Sequence, residues 1–387
     1  MATLEQTRAI LADLVAFPTV SSESNLELVV HVAAMLGELG ARVDLFHDET
    51  GHKANLFATF GPRNTDGGIV LSGHTDVVPV AGQDWSTDPF ELHEAEGRLF
   101  GRGTCDMKGF VACVLAMAPT YAGLNLRRPL HIALTHDEEV GCLGAQALIR
   151  ELAARDLRPA IAIVGEPTAM RIVEAHKGCC EYTVEFHGLE GHGSTPAAGV
   201  NAAGAAIRYA ARLMELAEAL KARAPSDSPF TPPETTVNIG RIAAGHAHNV
   251  IPGHAELCWE MRPVQAADMS FVKDEMARFV DDTLLPDMRA VHPDASIVTH
   301  VIGEVAGLEP QADNPARDLI GDLTGRTAAE TAPFSTEAGL FQSLGCSAVL
   351  CGPGSIAQAH KPDEYIAIKQ LGQCLDMLNG LAAALTD

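Results

Sequence analysis

The chain has 387 residues, 47% of them hydrophobic, and its 27 basic and 50 acidic residues give a formal net charge of −23. The length allows about two domains, and the negative charge argues against nucleic acid and anionic membranes as partners, because both are bound through basic surfaces. The nine cysteines form no Cys-x-x-Cys pair, so we expect reduced thiols in a cytoplasmic protein. The sequence pattern predicts neither a secretory signal nor a membrane span.

The first part of the chain alternates between helical and extended patterns. In chain order, the pattern predicts helices near 3–17 and 24–39, strands near 42–46, 55–60 and 69–72, a helix near 110–118, a strand at 130–134, a helix near 143–154 and a strand at 160–164. Strands that alternate with helices indicate an α/β core.

The pattern changes after residue 178. It predicts a strand at 180–187, a helix at 202–222, strands at 235–242 and 255–261, a helix at 269–285 and a strand at 295–301. This β-α-β-β-α-β order is that of a ferredoxin-like unit. We therefore expect a core domain made of residues 1–178 and 294–387, interrupted by an inserted domain at 179–293. The core resumes with a strand at 347–350 and with helices near 315–324, 337–344 and 368–385.

Polar side chains follow the ends of four predicted core strands. His74 and Asp76 follow the strand at 69–72, Glu138 and Glu139 follow 130–134, Glu166 follows 160–164, and His360 comes soon after 347–350. Ligand sites of α/β sheets lie beyond the carboxyl ends of parallel strands. The sequence therefore predicts that these side chains converge, although an isolated His-x-Asp pair is more typical of a surface turn.

The side chains at these ends suit a metal site. The candidate ligands are His74, Asp106, Glu139, Glu166 and His360. Imidazole and carboxylate ligands without thiolates favour zinc, cobalt or manganese, and five ligands exceed what one open catalytic zinc uses. We expect two metals that share a carboxylate, and Asp106, in a glycine-rich segment, is the natural bridge.

Four sequence blocks resemble the signature blocks of the dinuclear-zinc amidohydrolases. They are Ser72–Pro79, Gly101–Gly109, Asp137–Gly141 and Gly165–Thr168. The resemblance covers nearly the whole chain and implies a zinc-peptidase-like α/β/α catalytic domain with an inserted ferredoxin-like domain that serves as lid and dimerisation domain. It also implies a homodimer and a small acyl-amino-acid substrate.

The resemblance assigns a role to each candidate ligand. One zinc takes His74 and Glu166, the other takes Glu139 and His360, and Asp106 bridges them. Glu138 is then the general base, which could otherwise be only an acidic residue at a helix start. Asp76 supports His74, and a cis peptide follows Asp106.

Three residues of the insert also match family positions. His192 of the block Gly191–Pro196 is expected to stabilise the oxyanion, and Asn249 and Arg262 are expected to hold polar groups of the substrate. Asn249 could instead be a turn residue, and Arg262 a partner in a surface ion pair.

The segments 335–342 and 351–365 are most similar to the deacetylase branch of the family. This similarity implies removal of an acetyl group from an N-acetyl-amino acid. A related deacylase, desuccinylase, metallo-carboxypeptidase or dipeptidase is the alternative, and a binding protein on an inactive hydrolase scaffold is a more distant one.

Overall fold

The computed structural model describes residues 2–62 and 67–386. The chain forms two compact units. The first comprises Met1–Ala175, Pro310–Ala332 and Thr336–Asp387, and the second comprises His176–Glu309 and Pro333–Ser335. The second unit extends beyond the boundary predicted at residue 293, because the strand that follows this boundary pairs within the sheet of that unit.

Helices and strands alternate along much of the chain. The α-helices of the described residues are α1 Leu4–Val15, α2 Leu26–Glu38, α3 Lys108–Ala122, α4 Leu143–Ala154, α5 Ala202–Lys221, α6 Ala266–Phe279, α7 Leu285–Arg289, α8 Pro315–Thr324, α9 Ala338–Ser343 and α10 Ile368–Ala384. The strands are β1 Arg42–His47, β2 Ala54–Phe60, β3 Ile69–His74, β4 His93–Ala95, β5 Arg98–Phe100, β6 Leu130–Thr135, β7 Ile161–Val164, β8 Ile172–His176, β9 Cys179–His187, β10 Gly191–His192, β11 Thr236–Ala244, β12 Val250–Ile251, β13 His254–Arg262, β14 Ser296–Val305, β15 Ala329–Ala332, β16 Ser347–Leu350 and β17 Tyr365–Ala367.

The first unit is built on an eight-stranded mixed sheet with the order β1-β2-β6-β3-β7-β16-β8-β15. Its four central strands, β6, β3, β7 and β16, are parallel to one another. Every residue of β3, β6 and β7 is buried, as expected for parallel strands that are covered on both faces. Their apolar runs therefore predicted strands, and the α/β fold class predicted from them is confirmed.

Helices cover this sheet. Helices α1 and α10 pack directly against α3, and α8 packs against α10. Helix α3 contacts β3 of the sheet, and α4 packs against α9. Helix α1 begins at a capping box in which Thr3 and Gln6 each satisfy a backbone N–H of the other. Within the described residues no helix is long and apolar enough to cross a bilayer.

The second unit contains a four-stranded antiparallel sheet with the order β11-β13-β9-β14. Its chain order β9-α5-β11-β13-α6-β14 is the β-α-β-β-α-β pattern of a ferredoxin-like unit. On β9, Tyr182, Val184 and Phe186 are buried in a core that also contains residues of α5 and α6. The helix predicted at 269–285 is present, and it includes a π-helical segment, Val280–Leu284, between α6 and α7.

Candidate metal centre

The central parallel strands bring the predicted ligands to one edge of the sheet. Residue pairs along β3 run from Ile69 opposite Leu130 of β6 to His74 opposite Thr135, so the carboxyl ends of the two strands are level. Strand β7 ends one residue before Gly165, and a Cβ added to Gly165 would lie 1.9 Å from Cγ of Phe110 in α3. Glycine at this position therefore allows α3 to pack against the strand end.

The first ligand group consists of His74, Asp106 and Glu166, all buried. Each offers one ligand atom, and these atoms lie within 4.8 Å of one another. His74 Nε2 is 3.0 Å from Asp106 Oδ1. Among the described residues, the buried Oε1 of Glu166 has no hydrogen-bond partner. A buried carboxylate oxygen without a partner is costly unless it binds a cation, so these residues fit a metal ion.

The second group consists of Asp106, Glu139 and His360. His360 Nε2 lies 3.0 Å from Glu139 Oε2 and 3.4 Å from Asp106 Oδ2. Asp106 thus directs one carboxylate oxygen to each histidine. The two groups share only Asp106, which is the arrangement expected of a carboxylate that bridges two metals. A cis peptide follows Asp106, as the family resemblance implies.

The site carries an excess of negative charge. Burial, together with the neighbouring charge of Asp106, raises the pKa of Glu139 above its ordinary value and that of Glu166 well above it. Hydrogen bonds to Asp106 and Glu139 raise the pKa of His360 to about 10. Several carboxylates confined with two histidines form a site that divalent cations stabilise, because a cation offsets both the burial and the mutual repulsion.

Asp76 contacts both His74 and the segment that contains Glu138 and Glu139. The shorter contact of His74 Nδ1 is with the backbone carbonyl of Asp76, at 2.8 Å, whereas the Asp76 carboxylate is 3.7 Å away. A ring N–H donated to this carbonyl leaves Nε2 of His74 free for a metal. The Asp76 carboxylate instead accepts from the backbone N–H groups of Glu138 and Glu139, at 3.1 and 3.3 Å. It therefore orients the segment that contains both glutamates.

Glu138 lies beside the ligands without belonging to either group. Burial raises the pKa of its carboxyl group well above the ordinary value, and Glu139 and Asp106 act in the same direction, against His74. The Cys142 thiol donates to Glu138 Oε1 at 3.4 Å. A carboxylate in this position, adjacent to the ligands, has the chemistry of a general base.

Two further buried acids support the site and were given no role by sequence reasoning. Glu337 is fully buried and accepts from the hydroxyls of Ser72 on β3 and Thr135 on β6, at 2.5 and 2.7 Å. Glu364 is also buried and pairs with Arg102. In the sequence, Glu337 and Glu364 appear only as charged residues within segments that resemble the family. Their supporting roles could not be predicted, because their partners are more than 200 positions away.

The remaining predicted residues lie in the second unit. His192 on β10 pairs with Val250 on β12, and the N–H of Gly193 donates to the carbonyl of Asn249 at 2.7 Å. The backbone N–H of Ser194 donates to His192 Nδ1, so the neutral ring has its hydrogen on Nε2, where it can act as a donor.

Arg262 donates to Glu260 at 2.7 Å. Arg262 thus takes part in an ion pair, and its contact with substrate remains a prediction.

Comparison with known proteins gives the class. The model of "Peptidase family M20/M25/M40" matches residues 70–384, and the chain belongs to this family of metal-dependent hydrolases. The chain is 38% identical to the acetylornithine deacetylase of Myxococcus xanthus, over 96% of this chain and 95% of that protein. It is 35% identical to the acetylornithine deacetylase of Salmonella typhimurium, over 91% of each.

A solved structure has the same fold. It is the M20 family metallo-carboxypeptidase Sso-CP2 from Sulfolobus solfataricus, which matches with a TM-score of 0.73 at 17% identity, over 97% of this chain and 98% of that chain.

Proposed function

We propose that this protein hydrolyses N2-acetyl-L-ornithine to L-ornithine and acetate, a step of arginine biosynthesis. The observation on which the reaction class depends is the pair of ligand groups that share Asp106, one of which contains the unpartnered Oε1 of Glu166. The substrate is proposed from the similarity to two acetylornithine deacetylases over more than nine-tenths of the chain.

His74, Asp106 and Glu166 would hold one divalent ion, and Asp106, Glu139 and His360 would hold the other. The ions are proposed to be zinc, with cobalt or manganese as alternatives that the same donors accept. When bound, such a pair polarises an amide carbonyl and lowers the pKa of water.

Side chains of the protein then accept, hold and transfer the proton of the attacking water. The Glu138 carboxylate takes a proton from the attacking water and passes it to the leaving nitrogen, so that the amine departs as a neutral group. Proton transfer of this kind contributes roughly 10²–10⁴ in rate. Asp76 keeps Glu138 in place through the backbone N–H that it accepts.

The second unit is proposed to act as a lid and dimerisation domain. His192 would donate from Nε2 to the oxyanion that develops on the acetyl carbonyl, and Asn249 and Arg262 would contact polar groups of the amino acid. To bind a substrate carboxylate, Arg262 would have to exchange its contact with Glu260 for the substrate. A cytoplasmic homodimer is part of the same proposal.

The deciding experiment compares kcat/KM of metal-loaded enzyme for N2-acetyl-L-ornithine, N-acetylcitrulline, N-acetylmethionine and N-succinyl-diaminopimelate. We expect acetylornithine to be preferred by more than about tenfold, which corresponds to about 1.4 kcal/mol of transition-state discrimination. Preference for another substrate would contradict the proposed substrate but not the assignment of the protein as a hydrolase. Absence of both hydrolysis and bound metal would instead support a binding protein on an inactive scaffold.

A further inference from the structure

The sheet of the second unit has an apolar face and a polar face. Along β9, Tyr182, Val184 and Phe186 are buried, whereas the alternate residues Glu185 and His187 are only half-buried. Because side chains alternate along a strand, Glu185 and His187 lie on the same polar face. The sheet order places β13 on one side of β9 and β14 on the other, so residues of three strands meet on this face.

Three histidines and one glutamate gather there. His254 on β13 is directly opposite His187, and their ring centroids are 5.2 Å apart. Glu185 Oε2 is 3.2 Å from His187 Nε2, and Glu185 Oε1 is 3.7 Å from His300 Nε2 on β14. Glu185, His187 and His254 each offer a ligand atom within 4.8 Å of the other two.

The charge of Glu185 lacks a permanent cation. Among the described residues its ion-pair partners are His187 and His300, without an Arg or Lys. It also lies directly opposite another carboxylate, Glu256, which pairs with Arg241. Like charges directly opposite each other on a sheet destabilise it, and a divalent cation beside Glu185 would remove this repulsion.

A second group of possible ligands on the sheet includes a carboxylate that already has an arginine partner. Cys179, Glu181 and Glu260 also lie within 4.8 Å of one another. However, Glu260 already pairs with Arg262, and burial raises the pKa of the Cys179 thiol to about 11, which disfavours the thiolate that a metal needs. The histidine group is therefore the stronger candidate.

We propose that Glu185, His187 and His254 form a further divalent-cation site, with His300 as an additional ligand, and that it takes zinc or another ion that prefers imidazole. Two imidazoles and a carboxylate leave a fourth position of a tetrahedral zinc unfilled, and His300 would fill it. Ligand atoms around a tetrahedral zinc lie roughly 3.3 Å apart. The ligand atoms of these side chains lie within 4.8 Å of one another, and rotation of the partly exposed side chains would bring them to the shorter distance. The site is separate from the ligands near Asp106 and does not depend on the proposed reaction.

The test is the zinc content of the full-length enzyme after equilibrium dialysis against buffered zinc in the low micromolar range. We compare the wild-type protein with Glu185→Gln, His187→Ala and His254→Ala, and use His52→Ala, which removes an exposed histidine of the first unit, as the matched control. We expect the wild-type protein and the control to bind one more zinc per chain than each of the three variants.

A second measurement separates loss of a ligand from loss of folding. All variants should keep the wild-type circular dichroism and the zinc associated with the Asp106 ligand groups. Cobalt titration should give a visible absorption component in the wild-type protein that is missing from His187→Ala. Equal zinc content in the wild-type protein and in folded Glu185→Gln and His254→Ala would overturn the proposal. Loss of all zinc from Asp106→Ala, which removes the ligand shared by the other two groups, would overturn it as well.

Discussion

Arg102 and Glu364 form an ion pair in which each side chain is only 1% exposed, with Arg102 Nη1 and Glu364 Oε2 separated by 2.7 Å. The same carboxylate accepts three backbone N–H groups at 2.8 to 3.1 Å, from Gly103, Cys105 and Asp106. Glu364 follows His360 by four residues. One buried carboxylate therefore connects the segment that contains the shared ligand with the segment that contains the last one.

We expect Glu364→Gln to weaken metal binding by about 10- to 100-fold, the usual effect of losing a group that orients ligands. The amide keeps the size of the side chain but loses the charge opposite Arg102, and its NH₂ group faces donors. A chelator-competition titration measures the affinity. Glu330→Gln, which removes an exposed ion pair with Arg171, is the control, and an unchanged affinity in Glu364→Gln would contradict the positioning role.

Glu138→Gln should retain both metals and lose roughly 10²–10⁴ in kcat, because it removes the proton acceptor without removing a ligand. Metal analysis and kcat are measured on the same preparation. Glu139→Gln provides the comparison, since it should lose metal as well as activity. Full activity in Glu138→Gln would exclude Glu138 as the base.

The two ligand groups predict a specific pattern of metal loss. Glu166→Ala and His360→Ala should each bind one metal less per chain than the wild-type protein, because each removes a ligand of one group only. Asp106→Ala should lose both metals, because both groups use it. Elemental analysis after dialysis at a fixed free metal concentration measures the content, and loss of only one metal from Asp106→Ala would contradict the bridge.

A buried histidine away from the metals predicts a dependence of stability on pH. His131 stacks on Phe57 and its Nδ1 lies 2.9 Å from the Thr59 hydroxyl. Burial, with a smaller effect of Arg42, lowers the pKa of His131 from 6.5 to about 4. Between these values the unfolded chain binds a proton that the folded chain does not, so stability is complete above about pH 6.5 and is lost as the pH falls towards 4.

For His131 this loss is about 2 kcal/mol on going from pH 7.5 to pH 5. Urea unfolding of the metal-free protein at the two pH values measures it. His131→Gln keeps a group that can hydrogen-bond to Thr59 and does not titrate, so its stability should fall less over the same range. An equal fall in both proteins would show that His131 does not contribute.

Much of the first unit could be predicted because its signals are local. Buried parallel strands give short apolar runs, and the end of each run could be found in the sequence, so the edge of the sheet where His74, Glu139, Glu166 and His360 lie was predictable. Asp106 follows no strand of the central sheet, and its glycine-rich segment and the family resemblance identified it.

Other features depend on contacts that no local pattern contains. The roles of Arg102, Glu337 and Glu364 are set by partners far away in sequence, so their charges could equally have indicated surface residues. The π-helical segment Val280–Leu284 lies within the predicted helix, and its hydrogen-bond pattern was not predicted from the sequence. The short strands β4 and β5, which form a three-stranded sheet with β17 in the order β17-β5-β4, are too short to give an alternating pattern.

The segments that form the metal centre lie on both sides of the second unit along the chain, and this order has a consequence for synthesis. A nascent chain that has passed Glu166 contains His74, Asp106 and Glu166, but it lacks His360 and also Glu364, which holds the Asp106 segment. Until the ribosome has translated the second unit and residues 310–364, the group of His74, Asp106 and Glu166 has all its members, whereas the group of Asp106, Glu139 and His360 lacks one. Acquisition of the metal pair is therefore a late event in the biogenesis of this protein, and it marks chains whose two separated parts have come together.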